Sequence, residues 1–236
     1  MKKIISKVQA AINKYNMIQY GDNIAVGLSG GKDSLTLLWI LNQIRLFQPV
    51  KFNIKAITLD PCFYGNFTDY SEISRFCENL GIEHIIRRHP IWAIVFENRK
   101  EKNPCSLCSR MRHGILHQIC IDNNCNVIAL GHNMDDMVET FFMNIFNCGK
   151  ISVFSPKSYL SRKNLQMIRP LIFCEENEIY KFSNKNSFPV CKNRCPKDKN
   201  SAREEMKLLI KNLEPSYPHL KKKVLNAIKL SGLNCW

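Results

Sequence analysis

Asn23-Ile-Ala-Val-Gly-Leu-Ser-Gly-Gly-Lys-Asp-Ser-Leu-Thr-Leu-Leu-Trp-Ile40 is the stretch from which the fold of this chain can be predicted. Apolar and β-branched residues from Ile24 to Leu28 predict a buried strand, and the apolar residues of segment 35–41 predict a buried helix. The segment 29–34 between them contains two adjacent glycines at the start of a helix, where backbone N–H groups point at an anion. The sequence therefore predicts a strand, a phosphate-binding turn and a helix.

The last residues of this turn differ from those of the common phosphate-binding loop. That loop reads G-x-x-x-x-G-K followed by Ser or Thr, whereas Asp33 follows Lys32 here. A phosphate repels a carboxylate unless a cation lies between them, so Asp33 indicates a Mg²⁺ ion or a direct catalytic role. The alternative is a glycine-rich turn without a ligand, which the flanking strand and apolar helix disfavour.

Length and composition suit one domain inside the cell. With 236 residues, of which 45% are hydrophobic, the chain can bury a full core. No segment is apolar over a membrane-spanning length and the first residues do not resemble a signal peptide, so we expect a cytoplasmic protein without a membrane segment. Its eleven cysteines are then expected to be thiols or metal ligands.

The strongly basic charge favours a polyanionic partner. The formal net charge is +14, from 34 Lys and Arg against 20 Asp and Glu. A compositional bias of the source is the alternative, because the chain is also rich in Ile and Asn. The charge is concentrated, however, since thirteen Lys and Arg lie between Lys181 and Lys229 against four acids.

Hydrophobic periodicity extends the alternation of strand and helix along the chain. Further strands are predicted at Phe52–Leu59, Ile82–Arg87, Asn126–Leu130 and Leu165–Ile168. Helices are predicted at 2–16, 70–80, 104–121, after Asp136 and at 175–182, followed by two basic helices separated near Pro215 and Pro218. The segment 91–97 fits either state, and Pro49 marks a break. This pattern predicts an α/β fold with a doubly wound, mostly parallel sheet and a small basic helical C-terminal extension.

The same pattern divides the chain into three parts that we expect to form one compact unit. They are an N-terminal amphipathic helix in residues 1–20, the α/β domain in residues 21–174 and the basic helical extension in residues 175–236.

Two pairs of cysteines have the spacing of metal ligands. Cys105 and Cys108 form a C-x-x-C pair at a predicted helix start, where the helix dipole favours thiolates. Cys191 and Cys195 could complete a four-cysteine zinc site, which spacing alone favours. An iron–sulfur cluster also takes cysteine thiolates, and three protein ligands would leave one iron open for chemistry. Spacing does not decide between these alternatives.

Polar residues gather where predicted strands end. His132, Asp135 and Asp136 follow the fourth strand, and Asp60 and the loop 61–68 follow the second. Ligands of doubly wound folds bind beyond the carboxyl ends of strands, so we favour a site role for the two adjacent acids. Adjacent aspartates at a helix start can also be simple caps.

These motifs together resemble a known family. The run Ser29-Gly-Gly-Lys-Asp-Ser34 resembles the PP-loop of the ATP pyrophosphatases, which split ATP between the α- and β-phosphates and leave a substrate oxygen adenylated. The whole chain resembles the tRNA 2-thiocytidine synthetase family of PP-loop enzymes. Five stretches carry this resemblance, namely residues 11–18, 27–34, 104–116, 131–136 and 168–171.

The resemblance implies a set of site residues. It implies that ATP and Mg²⁺ are held by Ser29, Gly30, Gly31, Lys32, Asp33 and Ser34, to which we add Asp60, Gly131 and His132 at the neighbouring strand ends. It implies a 4Fe-4S cluster on Cys105, Cys108 and Cys195, with Cys191 in reserve. It further implies a basic residue near the cluster at Arg112 and an essential acid at Asp135 or Asp136.

The resemblance also implies the reaction and the partners. ATP would adenylate the C2 oxygen of a cytidine in the tRNA anticodon loop, sulfur would attack C2, and AMP would leave. The sulfur would come from a cysteine desulfurase persulfide, and the enzyme could be a homodimer. Two rival interpretations remain: a lysidine synthetase, which has no need of Cys105 and Cys108, and a zinc-stabilised RNA-binding protein with a vestigial PP-loop.

Overall fold

The strand before the glycine turn lies inside a six-stranded sheet. A computed structural model describes residues 2–47, 50–100, 103–192, 194–196 and 202–236, so the break predicted at Pro49 lies outside the described residues. The strands are β1 (Asn23–Gly27), β2 (Asn53–Asp60), β3 (Glu83–Arg88), β4 (Val127–Ala129), β5 (Lys157–Leu160) and β6 (Leu165–Ile168). Their order across the sheet is β3-β2-β1-β4-β6-β5.

All neighbouring strands are parallel except the last pair. β1 pairs in parallel with β2 and β4, β2 with β3, and β4 with β6, whereas β5 runs antiparallel to β6. The predicted mostly parallel α/β sheet is thereby confirmed. β5 was not predicted from the sequence, because it is a short edge strand of only four residues without buried side chains. It turns back into β6 through Asn164, whose φ is +48°.

Helices connect the strands. They are α1 (Lys2–Lys14), α2 (Lys32–Phe47), α3 (Ser71–Asn79), α4 (Pro104–Asp122), α5 (Met134–Cys148), α6 (Glu176–Lys185), α7 (Ala202–Leu213) and α8 (Leu220–Ser231). The ambiguous segment 91–97 is helical, with a π-helical part at Ala93–Asn98. The segment begins after β3 ends at Arg88 and after Pro90. It pairs with no described strand of the sheet, so it has no partner for a strand conformation.

The core lies on both faces of the sheet. Ile24 and Val26 of β1 pack into one apolar cluster, and Ala25 between them packs into another. Successive strand residues point to opposite faces, so this alternation means that the sheet is covered on both sides. The first cluster also contains Val8 of α1 and Ile228 of α8, so both ends of the chain share one core with the sheet.

This topology brings three connections to one edge. The glycine turn follows β1, the loop 61–68 follows β2, and the segment 131–133 follows β4. Parallel neighbours end at the same side, so all three lie together beyond the carboxyl ends of their strands. Within the described residues, no helix is long and apolar enough to cross a membrane.

Candidate active site

The glycine turn is held in shape by its own two serines. The hydroxyl of Ser34 accepts a hydrogen bond from the N–H of Ser29 at 3.2 Å and donates one to the carbonyl of Gly31 at 2.9 Å. The Ser29 hydroxyl accepts from the Gly31 N–H at 3.3 Å. Gly30 has a φ of +83°, a conformation that side chains with a Cβ rarely adopt. The turn therefore has a defined backbone before any ligand arrives.

The loop that follows β4 packs closely against the backbone of this turn. A Cβ added to Gly131, just after β4, would lie 3.1 Å from the Ser34 nitrogen and 3.2 Å from the Asp33 carbonyl carbon. Only a glycine permits this close approach. The segment starting at Gly131 and the turn 29–34 consequently form one continuous cradle at the start of α2.

Lys32 and Asp33 are joined to neighbouring elements. The Asp33 carboxylate accepts from the Asn133 side-chain amide at 3.0 Å and pairs with Lys32 Nζ at 3.0 Å. Lys32 Nζ also pairs with Glu176 of α6 at 2.9 Å. Burial acts to lower the pKa of Lys32, but the charges of Asp33 and Glu176 outweigh it and raise that pKa above the ordinary value. The lysine is thus a fixed positive charge beside the cradle.

The two adjacent aspartates face different surroundings. Asp136 lines a cavity that is also bordered by Ser29 and Ser34 of the glycine turn. Its carboxylate caps α5 by accepting a hydrogen bond from the Asn133 N–H at 3.0 Å, and it forms an ion pair with Arg203 of α7 at 2.7 Å. Burial raises the pKa of Asp136, although Arg203 and the cap lower it in part. Asp135 instead accepts from the Glu176 N–H at 2.7 Å and pairs with Lys221 of α8 at 2.8 Å. Of the two candidates for an essential acid, the geometry favours Asp136, and Asp135 joins α5 to α6 and α8.

Asp60 holds a loop and does not face the cavity. Its buried carboxylate accepts from the N–H groups of Cys62 at 3.1 Å and Thr68 at 2.8 Å. Both oxygens are therefore engaged by the loop that follows β2. In this structure the Asp60 carboxylate is turned into its own loop and does not border the cavity, and its assignment to ATP binding stays a prediction.

His132 is a neutral side chain in the cavity wall. Its ring packs against Phe154 with centroids 5.1 Å apart. Burial, together with the positive charges of Arg169 and Arg203, lowers its pKa to about 3. Among the described residues its buried Nδ1 has no hydrogen-bond partner. At neutral pH the ring therefore carries no charge and can offer one nitrogen to a ligand.

Three cysteines line the same cavity as the cradle. The cavity has a volume of about 480 Å³ and is bordered by Ser29, Asp33, Ser34, Gly131, His132 and Asp136 together with Cys105, Cys108, Arg112 and Cys195. Cys191 lies beneath the turn, where its N–H donates to the Gly30 carbonyl at 2.9 Å. The geometry thus separates Cys195, which joins the C-x-x-C pair, from the reserve candidate Cys191.

The three cavity cysteines influence one another. Burial raises the pKa of Cys108, Arg112 lowers it, and Cys195 and Cys105 raise it further, so the three sulfurs lie within electrostatic range. No group of three His, Cys, Asp or Glu side chains in the described part of the chain is drawn together tightly enough to hold a single metal ion. Iron–sulfur clusters and zinc both take cysteine thiolates, so the three cavity cysteines are donors that fit either group.

The structure adds residues that the sequence did not single out. Arg203 lines the cavity from α7 and neutralises Asp136, and Asn133 joins Asp33 to the start of α5. Phe96 lines the opposite wall. Asn133 lies within the stretch 131–136 and could have been found there. Arg203 lies 67 positions from its partner, and only the folded chain brings the two together.

Comparison with known proteins agrees with this geometry. The PP-loop domain family matches residues 1–212. The tRNA-cytidine(32) 2-sulfurtransferase of Geobacter metallireducens is 37% identical over 230 residues, which cover 96% of this chain and 89% of that protein. The protein of the same name from Coxiella burnetii is 38% identical over 233 residues, with coverage of 96% and 89%.

Solved structures share the fold of this chain. The U34-tRNA thiolase NcsA from Methanococcus maripaludis, solved with its 4Fe-4S cluster, superposes with a TM-score of 0.80 at 27% identity and covers 97% of this chain and 77% of its own. An NH3-dependent NAD synthetase from Campylobacter jejuni shares the fold, with a TM-score of 0.50 at 17% identity over 97% and 95% of the two chains. The chain therefore belongs to the PP-loop family and, within it, to the tRNA-cytidine(32) 2-sulfurtransferases.

Proposed function

We propose that this protein is an ATP-dependent tRNA thiolase that converts cytidine 32 of the anticodon loop to 2-thiocytidine. The observation that carries the proposal is the single cavity that is bordered by both the PP-loop and three cysteines. An adenylating enzyme without sulfur chemistry needs only the first of these walls. The names of the related proteins, which are tRNA-cytidine(32) 2-sulfurtransferases, support the substrate.

The reaction has two displacement steps. In the first, the C2 oxygen of the cytidine attacks the α-phosphorus of ATP, the bond to the β-phosphate breaks, and pyrophosphate leaves. In the second, a reduced sulfur atom attacks C2, the bond from C2 to the adenylated oxygen breaks, and AMP leaves with that oxygen. Adenylation is needed because an amide-like carbonyl oxygen is a poor leaving group.

The residues of the cradle would bind and orient ATP. The N–H groups of Gly30 and Gly31 at the start of α2 suit phosphate oxygens, and Lys32 supplies a fixed positive charge. Asp33 and Asp136 lie on the same cavity wall and are the proposed carboxylate ligands of Mg²⁺. Arg203, which pairs with Asp136, also borders the cavity and would bind the oxygens of the departing pyrophosphate.

The opposite wall would handle sulfur. Cys105, Cys108 and Cys195 are the proposed ligands of a 4Fe-4S cluster, which when bound would supply an iron with an open position for sulfur. Burial raises the pKa of Cys108, and the positive charge of Arg112 offsets part of that rise. The apolar side chains Leu116 and Leu130 also border the cavity and would limit the access of water to the adenylated base.

The wider setting is part of the same proposal. Sulfur would arrive as the persulfide of a cysteine desulfurase, and a dithiol reductant would supply the two electrons that convert this sulfur to the sulfide level before it attacks C2. The protein would act in the cytoplasm, and two copies could associate. We propose that residues 1–20, 21–174 and 175–236 work as one unit, which the shared core of α1, the sheet and α8 supports.

Mass spectrometry of nucleosides from total tRNA tests the proposal. Deletion of the gene in the source strain should remove 2-thiocytidine and leave other thionucleosides unchanged. Wild type and a Cys191→Ser variant should restore it, whereas Cys105→Ser, Cys108→Ser and Cys195→Ser should not. Cys191→Ser is the matched control because this cysteine contacts the PP-loop backbone from outside the cavity.

Each rival interpretation predicts a different result. A lysidine synthetase would keep its activity in the Cys105→Ser and Cys108→Ser variants, and deletion would leave 2-thiocytidine in place. A zinc-stabilised RNA-binding protein would not convert ATP to AMP in the presence of tRNA. Loss of a different thionucleoside would retain the chemistry and refute cytidine as the substrate.

A further inference from the structure

Three aromatic rings form a ladder from the cavity wall to the protein surface. Phe96 borders the cavity, and its ring stacks on Trp92 with centroids 4.4 Å apart and an angle of 20° between the planes. Trp92 in turn contacts Tyr64 at 4.5 Å. Tyr64 is 53% exposed, so the outer end of the ladder is open to solvent.

The loop that carries Tyr64 is braced in an unusual conformation. Tyr64 has a φ of +57°, in the left-handed region that costs energy for a bulky side chain. Three hydrogen bonds hold the loop. The N–H groups of Cys62 and Thr68 donate to the Asp60 carboxylate, and the Trp92 backbone N–H donates to the Pro61 carbonyl at 3.1 Å. Burial does not explain this arrangement, because the strained residue presents about half of its ring to water.

The surroundings of the ladder carry positive charge. The Arg88 guanidinium lies 4.4 Å from the ring centre of Phe67, a second aromatic residue of this loop that is 61% exposed. Arg99 and Lys100 follow the helical segment that carries Phe96. The nearby acid Glu97 accepts from the Trp92 indole N–H at 3.2 Å. Exposed aromatic rings among cations are the combination that binds unpaired nucleotides of RNA.

We propose that the ladder of Tyr64, Trp92 and Phe96 is a stacking platform for the unpaired base next to the target cytidine. This inference rests on the proposed function. To reach the cavity, the target base has to leave its stack in the anticodon loop, and its neighbour then loses a stacking partner. Tyr64 offers a replacement at the solvent-exposed end of the ladder, and Trp92 and Phe96 connect it to the cavity.

Binding of a synthetic anticodon stem-loop RNA tests the platform. Tyr64→Ala should weaken this binding about tenfold, as is typical of the loss of one stacked base. Tyr64→Phe keeps the ring and should bind like wild type, and ATP affinity should be unchanged in both variants. Tyr180→Ala is the matched control, because Tyr180 is also 53% exposed but lies on α6, and its removal should leave RNA binding unchanged.

A set of stem-loops with one abasic nucleotide at each position beside the target locates the contact. At the stacked position, the abasic RNA should bind wild type about tenfold more weakly, and Tyr64→Ala should show no further loss. Additive losses at every position, or unaltered binding by Tyr64→Ala, would overturn the platform. Because binding is measured without turnover, a wild type that shows this coupling but makes no 2-thiocytidine would support the platform and refute the proposed function.

Discussion

At the scale of single residues, two glycines of one chain allow a direct comparison. Gly131→Ala places a Cβ 3.1 Å from the Ser34 nitrogen, and the backbone of the first turn of α2 cannot rotate away as a side chain would. We expect ATP affinity to fall about tenfold, which corresponds to an overpacking cost of about 1.4 kcal/mol. Calorimetric titration with a non-hydrolysable ATP analogue measures this loss.

Gly114 supplies the control for that substitution. It lies inside α4, and a Cβ there would meet no atom within 4 Å. Gly114→Ala should therefore raise the free energy of unfolding by about 0.5–1 kcal/mol, because alanine loses less backbone entropy in a helix, and it should leave ATP affinity unchanged. Equal ATP affinity in the two variants would contradict a close contact between the two loops.

Residue types alone could not assign the polar candidates. The sequence places Asp135 and Asp136 side by side at a strand end, and either could be a ligand. Successive helix residues point in directions about 100° apart, and the start of α5 turns Asp136 towards the cavity and Asp135 towards α6 and α8. Asp60 illustrates the same limit, since its position at a strand end was predicted but the turn of its side chain into the following loop was not.

At the scale of elements, α5 carries a carboxylate that should make stability depend on pH. Glu139 is only 6% exposed, and burial together with the charge of Asp136 raises its pKa from 4.5 to about 7. Arg203 and Lys207 of α7 lower that pKa in part. The folded state thus binds the proton of Glu139 more tightly than the unfolded state does. The contribution of this proton to the free energy of unfolding is therefore complete below pH 4.5 and is lost as pH rises through 7.

Replacement of Glu139 by glutamine should remove this dependence. Relative to Glu139→Gln, the wild-type free energy of unfolding should fall by about 2–3 kcal/mol between pH 4.5 and pH 8. Urea denaturation of both proteins across this range gives the difference. A pH-independent difference in the free energy of unfolding between wild type and Glu139→Gln would refute the argument.

The same scale shows which elements a sequence can predict. The buried strands β1, β2 and β4 and the amphipathic α1 have clear periodicity, and their bounds agree with the predictions within about two residues. β5 has no apolar alternation because its side chains stay partly exposed, and it forms only because β6 offers a partner edge. The segment 91–97 has an apolar run that suits either a strand or a helix. Its position in the folded chain, away from any described strand that could pair with it, determines that it is helical.

At the scale of the whole molecule, the positive charge serves two purposes. Several cations of the basic C-terminal region hold the fold together, since Lys207 pairs with Glu176, Lys221 with Asp135 and Glu214, and Lys222 with Glu175. The sequence predicted the concentration of charge but not this internal use, because three of the partner acids, Asp135, Glu175 and Glu176, precede the basic region in the chain. The cations that remain exposed near the cavity are therefore the better candidates for RNA contacts.

Salt dependence of tRNA binding separates these two groups of cations. If the protein contacts six or more phosphates, its affinity for tRNA should fall about a thousandfold when the salt concentration rises from about 50 to 200 mM. The reason is that binding releases counterions from the RNA, which becomes less favourable as salt increases. Lys192 is exposed and lies three positions before the cavity residue Cys195 in the chain, and Lys192→Gln should reduce the slope of log affinity against log salt by about one. Lys221→Gln removes the same charge from an internal ion pair and should lower stability while leaving the slope unchanged. A flat salt dependence in wild type, or equal slopes for Lys192→Gln and wild type, would mean that the basic surface near the cavity does not contact the phosphates.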